Sequence, residues 1–253
     1  PLAERARGRG IALFSSPFDE TAVHFLEEEI SPVIYKIASF EMNHFPMLEV
    51  IGSTGKPVLA SVGVSEEREI AKSLDVLRTS GCPEVILLHC VSDYPASAEN
   101  FNLSRMSFLH SAFEVPVGLS DHSPGSVIPI AATVLGARVI EKHLTLDRDP
   151  RASDSSFSML PEEFNEMCRS VRIAFDSLHL EKSESTNPSG AKFLKRSILV
   201  SRSIRKGEVF TECNLRVARP GDGLCPSKWN EVLGKKSTRS LDVGHPLSSA
   251  DYH

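Results

Sequence analysis

The chain lacks the sequence features of membrane-spanning, secreted and nucleic-acid-binding proteins. No window of its 253 residues approaches the roughly 18 unbroken apolar residues of a membrane span. The opening segment PLAERARGRG has no apolar core of a signal peptide. There is no run of Lys and Arg, and a net charge of −5 with a pI near 6.0 argues against a nucleic-acid surface. We therefore expect a cytoplasmic protein that binds neither a membrane nor a nucleic acid.

Cysteine is present without a pattern. The five cysteines are odd in number, scattered and free of any CxxC, which argues against a disulfide framework and a zinc knuckle. The composition, 41% apolar and 24% charged, is instead that of one sizeable globular domain with a small second one.

Six short apolar runs recur along the first part of the chain. They are continuous rather than alternating, which is typical of strands buried on both faces of a parallel sheet. The runs are GIALFSS (10–16), VIYKIAS (33–39), PVLASVG (57–63), EVILLHC (84–90), VPVGLSD (115–121) and ARVIEKH (137–143). Helical patterns lie between them, so the sequence predicts a βα repeat.

The helical patterns have recognisable starts. Asp19, Ser65 and the pair Ser123-Pro124 each precede one, and Pro161 begins another over 161–178. We predict an N-terminally truncated (β/α) barrel over 1–180, a polar linker over 181–192 and a small β-rich domain over 193–253. Six units are two short of a closed (β/α)8 barrel, so we expect a fragment, or a chain that has lost its first two units.

Two histidines close the last two apolar runs in the same way. His122 lies in VPVGLSDHS and His143 in GARVIEKHL, each at the end of the apolar run. Side chains at the carboxyl ends of parallel strands meet at one mouth of a barrel, so both imidazoles could bind one divalent metal. A lone His in such a position is more often a hydrogen-bonded structural residue, and the chain carries nine histidines, so chance repetition is the competing interpretation.

The other residues at the run ends are rich in hydroxyl groups and include two lysines, which suits a phosphate ligand. They are Ser15, Ser16, Phe18, Lys36, Ser39, Glu41, Ser61, His89, Ser92, Tyr94, Ser120, Asp121, Glu141 and Lys142. Alternatives remain open: the serines could cap the following helices, and Lys36 with Glu41 could form a salt bridge. Asp154, in RASDSSFSM, could be a solvated turn residue.

Seven motifs resemble, in order and spacing, the sialic acid synthase family, and most closely its pseudaminic acid synthase branch. The motifs are FSSPFDE, YKIASFE, KPVLASVG, LLHCVSDYP, VGLSDHSPG, IEKHLTLDR and SDSSFSM. The segment KRSILVSRSIRKGEVFTECNLRVARPGDGL is similar to the antifreeze-protein-like (SAF) domain that ends these synthases. The implied fold is an α/β TIM (β/α)8-type barrel, here lacking its first two βα units, followed by the SAF domain.

The resemblance implies a metal-dependent condensation of phosphoenolpyruvate with an N-acetylated amino sugar, giving a nine-carbon 2-keto sugar acid and phosphate. It implies Mn²⁺, with Mg²⁺ or Co²⁺ as alternatives, on His122 and His143. By the same resemblance, Lys36, Glu41 and His143 are catalytic, and a domain-swapped homodimer brings Arg219 over the partner's site. The remaining substrate-binding residues that it implies are Ser16, Phe18, Ser39, Ser92, Tyr94, Ser120 and Asp154.

The chain also departs from the family pattern. The Glu, Lys and Gln that the family carries on its first two strands have no counterpart here, and Val62 stands where Thr is common. A different hypothesis follows: a truncated, inactive paralogue or fragment that acts at most as a sugar-binding or dimerising module.

Overall fold

The computed structural model describes residues 1–178 and 191–253. The chain divides into two compact units, Pro1–Leu180 and Glu181–His253. Most of the predicted linker, 181–190, lies outside the described residues, and Ala191–Leu194 forms a 3₁₀-helix.

The first unit is built on a five-stranded parallel sheet whose strands follow one another in chain order. All but the last of these strands are buried nearly throughout, as their unbroken apolar runs predict. The strands are β1 (Tyr35–Ile37), β2 (Val58–Ser61), β3 (Val85–Cys90), β4 (Val117–Asp121) and β5 (Ile140–Lys142).

The first predicted strand, over 10–16, is wrong. In the part of the chain that the structure describes, these residues belong to no strand, and the backbone of Ile11 instead donates to Ala6 O at the end of a short helix. The apolar content of the run predicted a strand, but a strand also needs a neighbouring backbone, and β1 pairs only with β2. The result is an open half-barrel sheet with β1 and β5 at its edges, and the loss of two units stays a prediction.

In the described part of the first unit, seven helices accompany the sheet, and their starts follow local hydrogen bonding. Asp19 caps the second helix by accepting from Ala22 N at 2.8 Å, as predicted. The fourth helix is capped by Glu66 rather than Ser65, because Glu66 and Glu69 form a reciprocal capping box. The helices are α1 (Leu2–Gly8), α2 (Glu20–Glu29), α3 (Phe45–Ser53), α4 (Glu67–Thr79), α5 (Arg105–Phe113), α6 (Val127–Val134) and α7 (Pro161–Leu178).

The core of the first unit lies between the strands and the helices that follow them. It joins strand residues such as Ile37, Val58 and Leu87 to helix residues such as Ile51 and Leu74, all of which are almost completely buried. This packing fixes the strand ends, and therefore fixes the backbone from which the site residues project.

The second unit has a small core of its own. Strands β6 (Ser197–Val200) and β7 (Leu215–Ala218) pair antiparallel, and a short helix α8 (Trp229–Val232) packs beside them. Isolated bridges such as Ile204 with Leu241 tie the remaining segments together. The prediction of a small β-rich unit is confirmed, although few of its residues lie in regular strands.

None of the helices within residues 1–178 and 191–253 has both the length and the apolar character needed to cross a membrane.

Candidate active site

The carboxyl ends of the five strands carry a cluster of polar side chains. Lys36 comes from β1, Ser61 from β2, Ser120 from β4 and Glu141 from β5. They are linked by direct contacts: Lys36 Nζ donates to Ser61 Oγ at 2.8 Å, and Ser120 Oγ donates to Glu141 Oε1 at 2.6 Å. The sheet thus gathers at one edge residues that are more than one hundred positions apart in the sequence.

The two predicted metal ligands lie side by side. The residues before them, Asp121 and Lys142, are register partners on β4 and β5, so His122 and His143 leave adjacent strand ends together. Their ring centroids are 5.2 Å apart, with ring planes inclined at 72°. His122 is buried and His143 half-buried.

Hydrogen bonding prepares His122 for a ligand role. Its Nδ1 lies 2.8 Å from Val91 O, and since a carbonyl can only accept, Nδ1 carries a proton, which leaves Nε2 as the ring nitrogen that would bind a metal. Burial, together with the nearby His122 ring, lowers the pKa of His143, which favours the neutral imidazole that a metal requires.

The two imidazoles are donors that fit a first-row divalent metal. Within the described residues no group of three or more His, Cys, Asp or Glu side chains is arranged around one point. A metal held by the two histidines would take its other ligands from water or substrate oxygens. Asp154 Oδ2, at 3.6 Å from His143 Nδ1, lies beside the second imidazole.

Lys36 is a buried cation with weak compensation. Its Nζ donates to Ser61 Oγ and to Ile37 O, while the nearest carboxylate oxygen, Glu141 Oε1, is 3.7 Å away. Burial lowers the pKa of Lys36, and Glu141 opposes that effect. The salt bridge between Lys36 and Glu41 considered above is therefore wrong, since Glu141 takes that place. A buried ammonium that feels two carboxylates, Glu141 and Glu41, with the nearest carboxylate oxygen 3.7 Å away, is suited to receive an anion.

Three further groups line the same edge. Glu41 Oε2 is buried and has no hydrogen-bond partner among the described residues, which leaves an acceptor available for a ligand. Ser39 Oγ accepts from Val64 N at 3.0 Å, so it ties two loops together rather than capping its own helix. Ser92 Oγ lies 3.8 Å from Cys90 Sγ, beside His122.

Aromatic rings form one side of the site. Tyr94, half exposed, has its ring centroid 4.1 Å from that of His122 and 6.1 Å from that of His143. Phe157 lies 5.1 Å from His143 and 5.9 Å from Tyr94, again between centroids. These four rings pack side by side next to the polar side chains at the strand ends.

Each histidine also holds a loop through its backbone. Ala96 N donates to His122 O at 3.1 Å, which anchors the loop that carries Tyr94. Met159 N donates to His143 O at 2.9 Å, which anchors the loop that carries Asp154 and Phe157. Both loops are thus fixed to the ends of β4 and β5.

Two predicted site residues take no part in this cluster, and a third belongs to the other unit. Phe18 is 64% exposed and Ser16 half-buried, and neither takes part in the hydrogen bonds or ring contacts found among the described residues. Arg219 belongs to the second unit, where its Nε donates to Leu194 O at 2.6 Å.

Sequence reasoning assigned no role to Ser61, Glu141 or Cys90. Ser61 and Glu141 stand at strand ends, which marked their position, but their contacts with Lys36 and Ser120 depend on the strand register. Cys90 Sγ lies 3.9 Å from His122 Nδ1, and nothing in the sequence signalled that contact.

The fold and this strand-end site define the chain as an α/β half-barrel protein with an appended small domain. The solved spore coat polysaccharide biosynthesis protein SpsE of Bacillus subtilis is similar over 100% of this chain and 76% of its own, with a TM-score of 0.67 and 32% identity. The pseudaminic acid synthase of Campylobacter jejuni is 39% identical over 99% of this chain and 73% of its length.

Two family descriptions cover most of the sequence. The NeuB family matches residues 1–182, and the SAF domain matches residues 195–252. The chain belongs to the NeuB family. An N,N'-diacetyllegionaminic acid synthase of Campylobacter jejuni is also similar, with 35% identity over 94% of this chain and 72% of its length. The resemblance drawn from the seven motifs is confirmed.

Proposed function

We propose that the protein condenses phosphoenolpyruvate with an N-acetylated amino sugar, giving a nine-carbon 2-keto sugar acid of the pseudaminic or sialic type and inorganic phosphate. The observation that carries the proposal is the convergence, at one sheet edge, of a buried, weakly compensated Lys36 with the two imidazoles of His122 and His143. Relatives named as synthases of pseudaminic and legionaminic acids support it.

Lys36 is proposed to hold phosphoenolpyruvate. Its ammonium group would neutralise an anionic oxygen, and the hydroxyls of Ser39, Ser61, Ser92 and Ser120 would supply further hydrogen bonds around it. The distance of 3.7 Å to Glu141 leaves Lys36 room to exchange this contact for a phosphate or carboxylate.

His122 and His143 are proposed to hold a divalent metal, with Mn²⁺ first and Mg²⁺ or Co²⁺ as alternatives. When bound, the ion would supply Lewis-acid polarisation of the sugar's open-chain aldehyde. The protein's own part is to present two neutral imidazoles from adjacent strand ends, with the His122 tautomer fixed by Val91 O.

The proposed reaction balances without an external oxidant or reductant. C3 of phosphoenolpyruvate forms a bond to the aldehyde carbon of the sugar, whose oxygen becomes a hydroxyl by taking up a proton. Water adds to C2 and gives up both of its protons, one balancing the proton taken up by the aldehyde oxygen and the other leaving with the phosphate, and the C2–O bond to phosphate breaks, leaving the keto group. Glu41, with its unpartnered Oε2, is placed to carry one of these protons.

Tyr94 and Phe157 are proposed to contact the apolar face of the sugar, and Asp154 its hydroxyl groups. Phe18 and Ser16 would join on substrate binding. Arg219 is proposed to reach the sugar of a partner subunit in a domain-swapped homodimer, where its planar guanidinium suits an acetamido carbonyl. The alternative of an inactive sugar-binding or dimerising module is not favoured by relatives that are named as synthases over most of this chain.

The test is phosphate release from phosphoenolpyruvate labelled with ¹⁸O at its bridging enol oxygen, with Mn²⁺ and a panel of N-acetylated amino sugars. We expect phosphate only when a suitable sugar is present, carrying the ¹⁸O label because the C–O bond breaks. Sugar-independent release, or release of unlabelled phosphate, would show hydrolysis at phosphorus and contradict the proposal.

A further inference from the structure

A buried ion pair lies directly behind the two histidines. Lys142 Nζ is 2.6 Å from Asp121 Oδ2, and the two side chains are 1% and 0% exposed. The pair joins the last residues of β4 and β5, which are register partners. The next residue on each strand end is a histidine, so the pair connects the two backbones one residue before each imidazole.

The same two side chains also hold the residue that follows His122. Ser123 N donates to Asp121 Oδ1 at 2.9 Å, and Lys142 Nζ donates to Ser123 O. The N–H and the C=O of Ser123, the residue after His122, are therefore both held, the first by the residue that precedes His122 and the second by the residue that precedes His143. These bonds link the backbones at the two histidines into one network.

Core stability alone does not explain such a pair. Removing two charges from water costs about as much as their attraction returns, and a packed apolar pair is often as stable. A buried pair does fix a geometry, because only one arrangement satisfies both charges.

We propose that Asp121 and Lys142 are positioning residues that set the separation and orientation of the His122 and His143 imidazoles. The inference concerns the metal-free geometry, and its consequence for metal affinity rests on the function proposed above. The two charges cancel, so the pair places the imidazoles without adding a net charge beneath the metal.

The test is the double variant Asp121→Asn/Lys142→Met, which removes one charge of each sign and leaves the net charge unchanged. A change in Mn²⁺ affinity then reports a change in the position of the imidazoles rather than a change in the net charge near the metal. We expect a near-native circular dichroism spectrum and melting temperature, with a dissociation constant for Mn²⁺ alone raised about tenfold, as for other residues that support metal ligands.

A second measurement needs no metal. In the metal-free protein, nuclear magnetic resonance can follow exchange of the His122 Nδ1 proton that is bonded to Val91 O. We expect its exchange with water to be about tenfold faster in the double variant, because the strand end that holds the ring is loosened. The matched control is Glu27→Gln/Lys56→Met, which neutralises a 2.6 Å ion pair away from the histidines and should change neither quantity.

Unchanged Mn²⁺ affinity and unchanged proton exchange in a folded double variant would overturn the inference. If the native protein binds no Mn²⁺ through His122, the proposed metal function fails, while proton exchange still decides the positioning role. If the double variant does not fold, Asp121→Asn alone, which keeps an acceptor for Ser123 N, should still speed the exchange, and no change there counts against the pair.

Discussion

At the scale of single residues, the site combines two imidazoles with one buried cation whose charge is incompletely balanced. Val91 O fixes a proton on Nδ1 of His122 and burial lowers the pKa of His143, whereas Lys36 is held by a hydroxyl and a carbonyl. These two kinds of group suit different ligands, so removing each should impair a different step.

Replacing either His122 or His143 with Ala should abolish divalent-metal binding and activity without unfolding the protein. The loops that carry Tyr94 and Phe157 are hydrogen-bonded to the backbone carbonyls of the histidines, and an alanine at either position keeps its carbonyl. Mn²⁺ titration followed by electron paramagnetic resonance measures the loss. His110→Ala, on α5, is the control and should bind Mn²⁺ normally; an unchanged affinity in either site variant would falsify the assignment.

Replacing Lys36 with Met should raise KM for phosphoenolpyruvate by about 100-fold or more, with a much smaller effect on KM for the sugar. Loss of one charge-assisted contact to an anion is worth about 3 kcal/mol. Initial-rate kinetics with each substrate varied in turn measures both constants, and Lys56→Met provides a half-buried lysine as control. Equal increases in KM for phosphoenolpyruvate and for the sugar would contradict this role.

Residue type and strand-end position were enough to find the histidines, Lys36 and Glu41 from the sequence. They were not enough to find the partners of those residues. Glu141 and Ser61 meet Lys36 because β1, β2 and β5 are brought to one edge, and that depends on register and sheet curvature. A short polar motif carries no information on strand register or on sheet curvature.

At the scale of elements, five of six predicted strands form. The exception, over 10–16, is neither paired nor buried in the structure: Ile11 is 64% exposed, and an apolar run without a neighbouring strand forms no strand. Helix α7 spans Pro161–Leu178 as the sequence predicts, since Pro161 and the apolar spacing agree. The start of α4 differs by one residue because Glu66, an uncommon cap, gains a reciprocal bond from Glu69.

The 3₁₀-helix Ser249–Asp251 closes the second unit through a buried carboxylate. Burial raises the pKa of Asp251, but hydrogen bonds from Ser248, His245 and Arg239 outweigh it and bring the pKa to about 2. A carboxyl with a lowered pKa stabilises the folded state above its unfolded pKa, and that stability is lost as the pH falls from about 4 to about 2.

Asp251→Asn should therefore lower the free energy of unfolding of the second unit by about 2 kcal/mol at pH 7 and flatten its dependence on pH below 4. The chain's single tryptophan, Trp229, packs against this core, so urea unfolding followed by its fluorescence reports on this unit. The exposed Asp242→Asn is the control. A steep loss of stability below pH 4 that persists in Asp251→Asn would rule out this carboxyl as its source.

At the scale of the whole molecule, the proposed dimer makes a mixing experiment decisive. Arg219→Ala and His122→Ala subunits should each be inactive, and a random mixture should recover about a quarter of native activity. Half of the dimers would be mixed, and one of their two sites would hold an intact barrel and an intact Arg219. Phosphate release after subunit exchange measures the recovery.

The matched control is a mixture of His122→Ala with His143→Ala. Both defects then lie in the barrel, so no site is complete and no activity should return. Absence of rescue in the first mixture, with mixed dimers demonstrated by mass spectrometry, would contradict an active site completed by the partner.

The main-chain attachment of the loops that carry Tyr94 and Asp154 bears on how the family diversifies. Since the amides of Ala96 and Met159 donate to carbonyl oxygens of the histidines, side chains in these loops can be exchanged without losing the two bonds, proline at those two positions excepted. Under the proposed function, substitutions in these loops would change which sugar is accepted while the two histidines stay in place. Sugar preference would then evolve independently of the bond-forming chemistry.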